Sequence, residues 1–131
     1  MVLAGCYIGQ HEPHLLIESH LVNGELVVQG TTDLPDGALL QYNVWHARDD
    51  IEGDYGELSV SDGRFDFKTD VSRWPAGEVK VQVAFSAGPF QPEPVIAEFG
   101  VHGEKLGGPH VEDDSGRPTM KVLEITDLPA S

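Results

Sequence analysis

The chain is poor in cysteine, in cations and in long apolar runs, and each shortage removes a class of protein. Cys6 is the only cysteine among 131 residues, so no intrachain disulfide can form and no thiolate cage can hold a metal. Eight lysines and arginines face 22 aspartates and glutamates, a formal net charge of −14 with the histidines neutral. Nucleic-acid binding draws most of its strength from Lys and Arg against phosphate, so this balance argues against a nucleic-acid partner. An anionic membrane surface is disfavoured for the same reason. No run approaches the roughly 18 apolar residues of a membrane-spanning helix. Also missing are a Gly-x-Ser-x-Gly elbow, a Ser-x-x-Lys pair and a glycine-rich phosphate loop opening a helix. The sequence therefore points away from an enzyme, and no cofactor is expected apart from one candidate cation.

What is present is an ordinary soluble composition, 40% hydrophobic and 23% charged. A chain of this length buries about two-thirds of its unfolded surface, enough for a core without cross-links. The apolar runs are short, rich in Val and ended by Gly, Pro, Asp or Asn, which is the signature of strands with turn punctuation. Strands are expected at 15–21, 25–31, 38–46, 56–60, 64–69, 78–86, 94–101 and 120–126. Alternation is clearest where Val79, Val81, Val83 and Phe85 oppose Lys80, Gln82, Ala84 and Ser86. Val95, Ala97, Phe99 and Val101 repeat it opposite Ile96, Glu98 and Gly100. Each such segment buries one face, and several half-buried strands need a second sheet to cover them. Asn23-Gly24 and Asp62-Gly63 supply the positive φ that two-residue hairpins require. Residues 103–118, with four glycines and two prolines among acids, form a long loop.

The expected fold is an all-β, immunoglobulin-like sandwich of two antiparallel sheets with seven or eight strands. Residues 1–14 form an N-terminal tether, 15–102 the sandwich, and 103–131 a loop with an added C-terminal edge strand. Gly30-Thr31-Thr32-Asp33-Leu34-Pro35-Asp36-Gly37-Ala38, leading into the strand with Trp45, resembles the opening hairpin of bacterial immunoglobulin-like or fibronectin-III-like domains. Asp70-Val71-Ser72-Arg73-Trp74-Pro75-Ala76-Gly77 is similar to the turn before the penultimate strand of that fold, and to a stretch of the bacterial intracellular proteinase inhibitors. The resemblance covers roughly residues 15–101. It implies a domain of a secreted or lipid-anchored protein, and architecture more than activity.

Four groups of residues carry candidate chemistry. Leu3-Ala4-Gly5-Cys6 looks like a lipobox, which makes Cys6 the candidate lipidation site and a lipid anchor the only membrane link. Such a signal needs a charged start and about 7–15 apolar residues before it, so this reading expects coding sequence upstream of Met1. Asp50, Glu52 and Asp54 cluster hard oxygens suited to Ca²⁺. They fail the EF-hand pattern, with Tyr55 at the turn-glycine place and Ser61 at the bidentate-Glu place, and a solvated hairpin loop in a chain acidic throughout is the simpler reading. Six histidines, with His11 and His14 close together, lack the spacing of a zinc helix because Pro13 lies between them. Trp45 and Phe90 are the candidate interaction residues. A strand tryptophan usually lies in the core; but if Leu40, Tyr42 and Val44 face inward, Trp45 joins Gln41 and Asn43 outside, where aromatic residues mark binding hot spots.

The function expected is non-enzymatic: a binding or structural accessory domain of a bacterial cell-envelope protein, recognising another protein, with basic partners favoured by its charge. The alternatives are a protease inhibitor working through Phe90 or the acidic loop, and a calcium-binding module. Oligomeric state is left open.

Overall fold

Asn23 and Gly24 both take positive φ, 49° and 81°, the pairing that a two-residue hairpin needs to match strand twist. They join β1 (Leu15–Val22) to β2 (Glu25–Thr32), which pair in register from Leu15↔Thr32 to Val22↔Glu25. The computed structural model describes residues 10–114 and 116–130. On the far side of β2 lies β5 (Arg64–Asp70), completing a three-stranded sheet in the order β1-β2-β5. The second sheet has five strands. They are β4 (Asp54–Ser59), β3 (Leu39–His46), β6 (Gly77–Ser86), β8 (Arg117–Leu128) and β7 (Val111–Asp114), neighbours in that order. Every strand pair is antiparallel. The protein is an all-β two-sheet sandwich, with eight strands among the described residues.

Alternation sends one side of every strand into the shared core. Leu26 and Val28 from β2, Phe65 and Phe67 from β5, Leu40 and Val44 from β3, and Val79 to Phe85 at every second place in β6 are all buried there. Full burial of such side chains contributes about 1.5–3 kcal/mol each. The two layers meet where Tyr42 of β3 stacks on Phe67 of β5, with ring centroids 4.0 Å apart. Gly30 is fitted to its neighbour: a side chain there would collide with the Phe65 ring, which covers the bare backbone.

Three expectations are corrected. Residues 94–101 are not a strand but the helix α1 (Glu93–Phe99). Pro94 sits in its first turn with acidic Glu93, both favourable there. Val95 and Phe99, four apart, are its buried face, whereas Ala97, which a strand would have turned inward beside them, is exposed. Residues 120–126 are not an addition to the core but part of the longer β8, which pairs with β6 over ten residues from Gly77↔Leu128 to Ser86↔Thr119, and whose other side β7 covers only as far as Met120. Nor is 103–118 only a loop, since it contains β7. Asp62 and Gly63 do adopt positive φ, yet the turn closes only the Ser61↔Arg64 bridge, and the chain then leaves one sheet for the other.

Residues 10–14, assigned to a tether, pack against the far end of the sequence. His11 donates its amide to the Lys105 carbonyl and accepts from Gly107. Its ring stacks on Phe99 at 4.7 Å and meets Glu98 at 2.7 Å. Glu12 accepts the His110 amide and ring nitrogen. Burial alone would raise the Glu12 carboxyl, but hydrogen bonds from the His110 side chain and backbone, with its charge, hold it below the usual range. Cys6 and its lipobox lie outside the described residues. Among those described, no helix is long and apolar enough to cross a membrane.

Candidate recognition surface

Strand register determines which side chains share the outer face of the five-stranded sheet. One row across it reads Tyr55, Asn43, Gln82 and Leu123; the next reads Trp45, Lys80 and Ile125. Tyr55 is 80% exposed, Leu123 53% and Ile125 52%. On a wetted sheet face polar side chains are the rule, so four large apolar groups in adjoining rows are unusual. Ala84 is small, and beside it a trough of about 540 Å³ opens, lined by Gln41, Asn43, Tyr55, Gln82, Ser86 and Lys121 among others. A second depression of similar volume lies on the outer face of the three-stranded sheet, between Leu16, Gln29, Arg64 and Asp66. Its lining includes Phe65, whose side chain is otherwise buried.

Trp45 stands on the outer face, half-buried, because Leu40, Tyr42, Val44 and His46 occupy the inward positions of β3. The tryptophan packed against the core is instead Trp74, whose ring meets His46 edge-on at 6.2 Å. Buried His46 accepts the Arg48 amide at Nδ1 and donates from Nε2 to the Pro75 carbonyl, each at 3.0 Å. Those two partners assign the ring proton to Nε2.

The three acids of the candidate calcium loop do not share one site. Asp50 takes two hydrogen bonds from the Arg48 guanidinium, and that contact lowers its carboxyl below the usual range. Glu52 is exposed, and Asp54 accepts the Thr69 hydroxyl at 2.8 Å. Burial and the nearby Asp54 charge push the Tyr42 phenol up, keeping it neutral between the sheets. Among the described residues no three His, Cys, Asp or Glu side chains are grouped to hold a metal ion.

Phe90 is 40% exposed, and the Arg117 guanidinium lies 4.9 Å from its ring centre. Its loop is held by Gln91, a buried amide that accepts the Leu39 N–H and donates to the carbonyls of Leu39 and Ser86. Phe90 lies on this anchored loop, apart from the Trp45–Tyr55 rows. Leu123 and Ile125 escaped the sequence reading, although a signal existed: Val122 and Leu123 are consecutive apolar residues, so both faces of β8 had to be apolar.

Comparison with known proteins returns no matching family model, no significant match to a curated protein and none to a solved structure.

Proposed function

We propose that this chain is a non-enzymatic recognition domain that binds another protein through the outer face of its five-stranded sheet. The observation that carries the reading is the exposure of Tyr55, Leu123 and Ile125 beside half-exposed Trp45 on one flat surface. Tyr and Trp dominate binding hot spots because they bury much area for few rotatable bonds. Asn43, Gln82 and Lys80 between them supply donors and acceptors for the polar part of such a contact. The charge of −14 favours basic partners by steering their approach.

The strand order supports an immunoglobulin-like, fibronectin-III-like version of the sandwich, with 1-2-5 in one sheet and 4-3-6-8 running through the other. The outward Trp45 departs from the buried tryptophan usual in antibody domains. With the lipobox at Cys6, the reading places the domain outside the cytoplasmic membrane on a lipid anchor.

Photo-crosslinking in the native cell tests the surface. A crosslinking amino acid at position 55 or 45 should capture the same protein in the envelope fraction, and one at position 66, on the opposite sheet, should not. Equal capture from both faces, or none at 45 and 55, would contradict the assignment.

A further inference from the structure

The edges of the two sheets are not treated alike. β1 is blunted by Glu124, which reaches across from β8 to accept the Ser19 amide and hydroxyl. β5 alternates Arg64, Asp66, Lys68 and Asp70 on its outer side, and β7 is four residues long and acidic. Charge and brevity are the usual defences of a free edge. β8 is not short over its second half, and its charges there, Lys121, Glu124 and Asp127, stand singly among apolar residues. β7 pairs only with Arg117–Met120, so among the described residues the backbone from Lys121 to Leu128 has strand partners on the β6 side alone. The open stretch contains no proline, and its outward residues include exposed Leu123 and Ile125.

We infer that this open edge of β8 pairs antiparallel with the same edge of a second copy, joining two five-stranded sheets into one of ten. The argument rests on the order of residues, Lys-Val-Leu-Glu-Ile-Thr-Asp from 121 to 127. A two-fold axis through such a pairing keeps each residue on its own face only if the register is centred on a residue. Centred on Glu124, it sets Lys121 opposite Asp127 of the partner subunit, and Leu123 opposite the partner's Ile125, twice each by symmetry. A two-residue slip either way sets a charge against an apolar side chain. The centred register also uses the free edge up to where β7 begins. Its one like-charge pair is Glu124 with the partner's Glu124, on the inner side, where each carboxylate is turned to its own Ser19. The dimer extends beyond the recognition reading and does not depend on it; with both, two binding faces lie side by side on one sheet.

The −14 charge of each copy opposes association at low salt, so sedimentation is read at roughly 0.15 M, where separations beyond about 8 Å are screened. The wild-type chain should run at twice its 14.2 kDa mass. Ile125→Lys should run as a folded monomer. Lys121→Asp and Asp127→Lys should each weaken the dimer roughly tenfold, and the double variant, which exchanges the two charges, should restore it. The contacts Lys121 makes with Glu112 and Asp114, at 3.7 and 3.6 Å on the surface, contribute little to the fold. A monomeric wild type, a dimer indifferent to Ile125→Lys, or a double variant no tighter than the singles would overturn the inference.

Discussion

Phe99→Ala is expected to lower the unfolding free energy by about 3–5 kcal/mol, the range for truncating a fully buried phenylalanine. Phe99 has no exposed surface. It lies between the Phe85 ring, 5.3 Å away, and the stacked His11 ring. Removing it opens a cavity between α1 and β6 and takes away the surface on which residues 10–14 rest. Against a total stability of about 5–15 kcal/mol for a domain, the loss will be visible as an earlier urea midpoint at unchanged slope. Ala97→Ser, on the exposed side of the same helix, should change stability by less than about 0.5 kcal/mol. If Phe99→Ala costs under about 1 kcal/mol, the helix does not close the core as described.

Gln91→Leu should cost about 2–4 kcal/mol, although leucine fills nearly the same volume. The substitution removes three hydrogen bonds and leaves the N–H and C=O of Leu39 and the C=O of Ser86 without their partner. An unsatisfied buried polar group costs about 1–3 kcal/mol; Leu39 is only half-buried, so water recovers part of the sum. Hydrogen exchange at the Leu39 amide should quicken in the variant. An unchanged stability together with unchanged exchange would show that the amide does not hold the loop.

The sequence showed most plainly what local chemistry decides. The alternation of β6 was legible because that strand lies inside the sheet with one face in the core, and Asn23-Gly24 because its backbone geometry leaves one tight turn. Helix α1 was misread for a definite reason: Val95 and Phe99 are four apart, a spacing that has the parity of a strand and the period of a helix. Pro94 and Glu93 at its start were the deciding signals. The short, acidic β7 had no apolar period to detect. The central place of β8 depends on pairing with β6 over about 40 residues of sequence separation, which no local pattern encodes. Of the candidate surface, Trp45 was visible as one of two alternatives, and its neighbours on β4 and β8 were not, because a shared face across strands is a property of register.

The account rests on β8 running between β6 and β7, with Trp45, Tyr55 and Ile125 on its sheet's outer side. A nuclear Overhauser map of the intact chain tests this directly. It should show cross-strand backbone contacts for Val83 with Val122 and for Lys80 with Ile125, and indole contacts from Trp45 to the Lys80 side chain. Indole contacts from Trp45 to Val28 or Leu26 of the opposite sheet, or a β8 with no contacts to β6, would contradict it.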